Sequence, residues 1–176
     1  MSGMATLAAG PRAVAEPEIP WRRIASVCDP GSFQPLRTSV RSARSRRSQP
    51  GDGVLGGSAT IEGRPVFVYA QDPAFLGGSL GGEHAATIVR LLASARMSGA
   101  PAIGLIHSGG ARLDEGAAAL QGYGEIFTEH VRSDGWIPQV SVIYGPSAGG
   151  GCYSPALTDL VVMCSEASMF LTGPKV

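Results

Sequence analysis

Twice in this 176-residue chain a short apolar run passes straight through a glycine-rich turn into a helical pattern. The first unit starts at Ala102–Ile106, turns at Ser108-Gly109-Gly110-Ala111-Arg112 and continues as a helix predicted over roughly 114–131. The second starts at Gln139–Tyr144, turns at Gly145-Pro146-Ser147-Ala148-Gly149-Gly150-Gly151 and enters a short helix near 152–157. Successive strand–turn–helix units imply an α/β fold with right-handed crossovers between parallel strands.

The flanking segments complete a plan of two parts. Residues 1–50 read as an N-terminal tail and short helical arm, and residues 51–176 as the body of the fold. Residues 1–20, rich in alanine and proline, are expected to be disordered. Trp21 to about Arg47 is predicted to form short helices around the breaker Asp29-Pro30-Gly31, and Ser48–Gly53 a linker. Val54–Ile61 and Pro65–Tyr69 flank Glu62-Gly63-Arg64 as a β-hairpin. After the loop Gly77-Gly78-Ser79-Leu80-Gly81-Gly82, a helix over 83–98 places Ala85, Ile88, Val89, Leu92 and Ala95 on one face. Leu160–Met163 and Ser168–Leu171 are read as further strands.

Charge excludes some classes of function. Fourteen basic and fourteen acidic side chains cancel, which disfavours a strongly basic nucleic-acid-binding domain. Before residue 51, however, eight arginines face three acids. The run Arg41, Arg44, Arg46, Arg47 is read as a solvated helix face or linker, with contact to a polyanion as the other reading. No apolar run approaches the ~18 residues of a membrane span. Three cysteines, Cys28, Cys152 and Cys164, form no CxxC pair and no closed disulfide framework. No secretory signal is recognised, so a cytoplasmic location is expected.

Several motifs have a bland reading that outweighs the chemical one. Gly51–Gly56 spells GxGxxG, but a hairpin rather than a helix follows it. Gly145–Gly149 spells GxSxG in a strand-to-helix context, yet His84, His107 and His130 all lie upstream. Ser147 is therefore read as a small turn residue rather than a nucleophile. His107 stands where an acid–base group could act, but a packed turn residue is the preferred reading. The histidines and cysteines lack the spacing of a metal site.

The glycine turns remain. Amide N–H groups at a helix start are unpaired, and glycine lets a ligand come close to them. Such turns can hold a phosphate or a developing oxyanion. Residue chemistry alone chooses neither, and tight turns in a compact sheet satisfy the same pattern.

At these residues the chain resembles the β, or carboxyltransferase, subunit of biotin-dependent acyl-CoA carboxylases of the acetyl-/propionyl-CoA type. The matching segments are DPGSF (Asp29–Phe33), GDGV (Gly51–Val54), GRPV (Gly63–Val66), GGSLG (Gly77–Gly81), SGGAR (Ser108–Arg112), GYGEIF (Gly122–Phe127), GPSAGGG (Gly145–Gly151), YSPALTD (Tyr153–Asp159) and TGP (Thr172–Pro174). Each is short, but they occur in family order over nearly everything after residue 28. The resemblance implies a crotonase-like ββα spiral. It also implies transfer of a carboxyl group from carboxybiotin, on a separate carrier protein, to the α-carbon of acetyl-CoA or propionyl-CoA. By similarity, Gly149 and Gly150 offer amides to the thioester carbonyl. Gly109, Gly110 and Ala111 line the thioester site, and Gly77, Gly78 and Ser79 contribute to substrate binding. Implied partners are the acyl-CoA, the biotin carboxylase/biotin carrier (α) subunit and further β subunits in a homo-oligomer, with no metal, nucleic acid or membrane. A biotin-dependent acyl-CoA decarboxylase and a non-catalytic CoA-binding or interaction protein are the alternatives.

The chain departs from the family pattern in three places. His107 replaces a usually acidic residue before SGGAR, and Gly151 replaces the usual alanine. The third is the end at TGPKV, which leaves the spiral incomplete and the second, biotin-side domain absent. The chain is therefore expected to be a fragment, inert and poorly soluble alone, with the inner faces of Val140, Val142, Val161, Val162 and Phe170 uncovered.

Overall fold

The computed structural model describes residues 18–172. The expectation of disorder for the N-terminal segment lies, over 1–17, outside the described residues.

Helix α1 (Glu18–Val27) stops at Asp29-Pro30-Gly31, where proline removes a donor and Gly31 takes a positive φ of 73°. Its Trp21 and Ile24, with Cys28 just past its end, face the sheet. Asp29 then fastens the helix end to a distant turn. Its carboxylate accepts hydrogen bonds from Thr60 Oγ1 (2.5 Å) and from the amides of Glu62 and Gly63 (both 2.9 Å). These bonds hold its pKa below the ordinary value, the Thr60 bond most of all.

Strand β1 (Gln34–Leu36) pairs antiparallel with β2 (Val54–Ile61), which forms a hairpin with β3 (Arg64–Gln71). The Glu62-Gly63 turn has φ of 51° and 74°, the geometry that matches strand twist in a two-residue hairpin. Helix α2 (Gly82–Ser98) leads to β4 (Ala102–Ser108), and helix α3 (Ala117–Ser133) to β5 (Gln139–Ala148). The short α4 (Gly150–Ala156) leads to β6 (Leu160–Met163) and β7 (Ser168–Phe170). Sheet order is β1-β2-β3-β4-β5-β6, antiparallel up to β3 and parallel beyond. β7 pairs with β5 at Pro146–Ala148, beyond the residues that pair with β6.

Alternation along the strands builds two cores. On β3, Val66, Val68 and Ala70 face α1, while Phe67 and Tyr69 face α2 and α3. Ile88, Leu91, Leu92 and Ala95 of α2 and Ile126 of α3 close the second side. Beyond β5 the cover thins. Leu160, Val161, Val162 and Met163 are exposed, and Val140, Val142 and Phe170 are half-buried.

Three local expectations are corrected. No helix forms between Gly31 and Arg47; the segment instead supplies β1, anchored by an edge-on contact between Phe33 and Trp21 at 5.6 Å. β5 runs four residues further than Tyr144, because an irregularity between Ile106 and Ser108 restores pairing at Ser108–Ser147. Gly145 to Ala148 is thus strand, not turn. A single 3₁₀ turn at Leu113–Glu115 delays α3 to Ala117.

The β1–β2 contact yields a test. A methyl group at Gly57 would lie 2.1 Å from the Gln34 carbonyl oxygen. Gly57→Ala should displace β1 and lower stability by ~1–3 kcal/mol. Denaturant unfolding with amide exchange at Gln34–Leu36 checks this; unchanged protection would refute the close approach.

Candidate active site

Three glycine turns meet beyond the ends of β3, β4 and β5. Gly109 N–H donates to Gly77 O (3.0 Å), Leu80 N–H to Gly110 O (2.9 Å) and Arg112 N–H to Leu80 O (2.9 Å). Gly78 fits because it has no side chain: a Cβ there would sit 1.9 Å from the His107 carbonyl oxygen. A Cβ at Gly110 would meet Ala148 O at 3.2 Å, and one at Gly151 would meet Ser108 Oγ at 3.0 Å. The turns are in mutual contact, and their backbone groups can be accounted for one by one.

Most of their amides are already used. Gly78 donates to Phe75 O, Ser79 to Leu76 O and Gly110 to Ser108 Oγ. Gly149, expected to offer its N–H, donates it to Phe170 O at 3.0 Å. That amide is held by β7, a partner that lies 21 residues away and that local pattern does not reveal. Among the described residues, the amides of Ala111 and Gly150 have no acceptor. Of the expected donor pair, therefore, Gly150 alone has a free N–H, and on the facing turn Ala111 has one where Gly109 and Gly110 do not. Gly77, Gly78 and Ser79 stand beside them as support for the β4 turn.

Two side chains without a role in the sequence reading shape this place. The Tyr123 ring fills the space beside Gly150, where a Cβ would come within 2.7 Å of it. Its hydroxyl pairs with Ser108 Oγ at 3.2 Å, and burial pushes the phenol up to about 12. Tyr123 lies inside GYGEIF; a tyrosine between glycines was the visible signal, but its contact crosses from α3 to α4. Arg112 is the other. Its Nη1 reaches Asp52 Oδ1 (2.6 Å) and Glu115 Oε1 (2.7 Å), and its Nη2 donates to the carbonyls of Asp52 (3.1 Å) and Ser79 (3.0 Å). Glu115 also accepts from Gly82 N–H and Ser42 Oγ. Burial works to raise Glu115, but these bonds outweigh it and hold the carboxyl below its ordinary value. Burial pushes Asp52 up, against the pull of Arg112.

The GxSxG reading fails on geometry. Ser147 is fully buried and donates to Gly151 O at 2.6 Å, and among the described residues it bonds to no histidine. His130 instead bonds to Gln139 Oε1 (2.7 Å) and Ser154 Oγ (2.8 Å). His84, driven down to about 3 by burial, lies against Gln71. His107 packs its ring on Gly145, with a buried Nδ1 that lacks a partner among the described residues. Burial and then Arg23 hold its pKa below the ordinary value. Among the described residues no group of three or more histidines, cysteines or carboxylates is placed to hold a metal ion. No described helix is long and apolar enough to cross a membrane.

Residues 16–176 match the family model for the carboxyl transferase domain. The chain belongs to this family. The carboxyl transferase domain of this chain is 50% identical over 157 residues to a putative propionyl-CoA carboxylase beta chain of Bacillus subtilis (strain 168). It is 48% identical over 160 residues to a methylmalonyl-CoA decarboxylase subunit alpha of Veillonella parvula. Both matches take in 88% of this chain and 31% of the relative, so the chain spans about a third of their length. Among solved structures, transcarboxylase 12S with hydrolysed methylmalonyl-coenzyme A superposes with a TM-score of 0.86 at 39% identity, covering 88% of this chain and 31% of the other. A Pseudomonas malonate decarboxylase hetero-tetramer with malonate gives 0.84 at 30% identity, covering 89% and 62%. The carboxyl transferase domain thus has the crotonase-like fold of those subunits, the class that the sequence motifs implied.

The Arg112 cluster should dominate stability. Arg112→Ala strands Asp52 and Glu115 without their cation, and breaking a buried pair this way costs ~3–5 kcal/mol. Urea unfolding checks this; a loss below ~1 kcal/mol, the level of a surface pair, would show that the cluster is not a support.

Proposed function

We propose that this carboxyl transferase domain holds a short acyl-CoA thioester with its carbonyl oxygen at the Ala111 and Gly150 amides. In its complete assembly it would move a carboxyl group between carboxybiotin and the thioester α-carbon. The observation that supports this is the free N–H of Ala111 and of Gly150 on facing turns, beside the amides of Gly109, Gly110 and Gly149 that are tied down. Both residues are half-buried, so each donor can be approached from outside. Two on facing turns, with glycine at one and alanine at the other, leave room for an oxygen atom to approach.

The chemistry asks for such a place. Removing a proton from the α-carbon of a thioester moves negative charge onto the carbonyl oxygen. Fixed N–H donors stabilise that charge more than the neutral carbonyl, and so lower the barrier. Carboxybiotin would supply the carboxyl group and, once decarboxylated, the base. The protein side needs no serine nucleophile, which agrees with a Ser147 hydroxyl spent on Gly151. Tyr123 and Ser108 set the relative height of the two turns, and Arg112 holds the β4 turn from below. The proposed partners are the acyl-CoA, a biotin carrier protein and further copies of the subunit. Decarboxylation is the second reading, favoured by the 48% identity to the Veillonella parvula decarboxylase subunit.

Two variants test the site. The domain would be exchanged for the corresponding third of the Bacillus subtilis relative and assayed with carboxylated carrier and labelled acetyl-CoA or propionyl-CoA. Gly150→Val would drive a side chain into the Tyr123 ring and tilt the free amide. Loss of one such donor lowers turnover ~10²–10³-fold, and near-normal transfer by a folded variant would sink the assignment. Ser147→Ala should keep transfer within a few-fold. A fall of ~10⁴ or more, the mark of a lost nucleophile, would instead restore the hydrolase-like reading.

A further inference from the structure

Two buried polar side chains, Gln71 at 4% exposed and His84 at 0%, have no task in that reaction, yet both are tied to the turn that carries the Ala111 amide. β3 and β4 pair in parallel as far as Ala70 and Leu105. The next rung of such a ladder would take the His107 N–H to the backbone carbonyl of Gln71. It goes instead to the side chain, whose Oε1 accepts at 3.0 Å. The carboxamide is thus spliced into the sheet where the two strands part. A backbone N–H can only donate, so the oxygen of the carboxamide is fixed toward His107. Its nitrogen then meets His84 Nε2 at 3.3 Å, and that ring nitrogen is the acceptor. The ring proton is left on Nδ1, which is buried and has no partner among the described residues. Burial, and then Arg112, keep the ring neutral. A side chain present for packing alone would be served better by an apolar ring, which leaves no buried donor bare.

The far side of His84 closes a circuit. Its backbone N–H donates to Asp52 Oδ2 at 2.9 Å, and Asp52 Oδ1 accepts from Arg112 Nη1 at 2.6 Å. The stretch from His107 to Arg112, which contains Ala111, is therefore held at its front by Gln71 and at its back by Asp52, and His84 joins the two holds. We propose that Gln71 and His84 are positioning residues for the thioester site: by fixing both ends of this stretch they set where the Ala111 N–H points. This rests on the thioester reading of the turns. Both act through the backbone of the stretch rather than on the reacting atoms. Their effect falls on kcat, because a donor displaced by about 1 Å no longer meets the charge that develops in the transition state, a loss of ~10²-fold.

The Bacillus subtilis subunit carrying this domain would bear Gln71→Leu, Gln71→Glu or His84→Phe, with urea unfolding as the check on folding. Gln71→Leu keeps the bulk and loses both bonds, and should lower kcat ~10²-fold with KM within a few-fold. Gln71→Glu keeps an acceptor for the His107 N–H and, with one proton shared with His84, answers both neighbours, so its kcat should stay within a few-fold of the unsubstituted subunit. His84→Phe frees the carboxamide to turn and should fall between. A role in packing alone predicts the reverse order, with a buried carboxylate worse than leucine, and that order overturns the proposal. A folded Gln71→Leu with near-normal kcat overturns it too; if Gly150→Val still lowers transfer, the thioester reading stands without it. Near-normal transfer by Gly150→Val removes the thioester reading and this proposal together. A second measurement needs no variant. Nitrogen NMR of the labelled histidine rings in the 176-residue chain should find the His84 proton on Nδ1, and a proton on Nε2 overturns the proposal.

Discussion

A buried guanidinium organises the functional end of this domain. Arg112 has a side chain 2% exposed, and it faces two carboxylates and two carbonyls from three separate stretches of chain. A charge in that position is strongly unfavourable unless carboxylates and carbonyls answer it. The answer exists when Gly51–Gly53, Ser79 and the 3₁₀ turn at Glu115 all arrive together. Glu115 extends the requirement outward to Ser42 and Gly82, and Phe75 lies under the guanidinium at 5.2 Å. The cluster therefore serves as a register: a loop that slips leaves a charge unpaired.

The glycine turns depend on that register. Their amides are consumed by neighbouring turns rather than by their own helices, so shape and donor supply are set jointly. Ala111 and Gly150 stay unpaired while Gly109, Gly110 and Gly149 beside them are tied down. The absence of side chains at Gly78 and Gly150 has a physical cause in each case, a carbonyl oxygen at one and an aromatic ring at the other. An amide that is both fixed and free is what a developing oxyanion needs, since no reorganisation is left to do when charge appears.

Elements with local causes were legible in the sequence. The face Ala85, Ile88, Leu92, Ala95 announced α2, and a turn residue pair announced the hairpin. The α/β class followed from the two strand–turn–helix units, and the family from motifs in order. What escaped was set at a distance. Gln34–Leu36 is a strand because Gly56–Ser58 lies ready for it, not because its own residues favour one. β5 is extended because β4 and β7 reach its last residues. The fate of the Gly149 amide was decided by Phe170, and Tyr123 acquired its place from α4. Motifs located the turns; tertiary hydrogen bonds chose which of their atoms remain available.

The same long reach bears on how the chain is made. During synthesis α1, its Asp29 clasp and the β2–β3 hairpin can close once residue 71 is free, since the hydrogen-bond partners of Asp29 and of the hairpin have already emerged. Asp52 cannot. Its cation follows 60 positions later, and Ser42 waits 73 positions for Glu115. Closing loops of that length is entropically opposed until the contacts at both ends form together. Until then Asp52 keeps its water and the turns have no fixed height. The half of the domain without chemistry is thus available early. The place proposed to hold a thioester oxygen comes into being in one late step, when a single arginine finds two acids made long before and just after it.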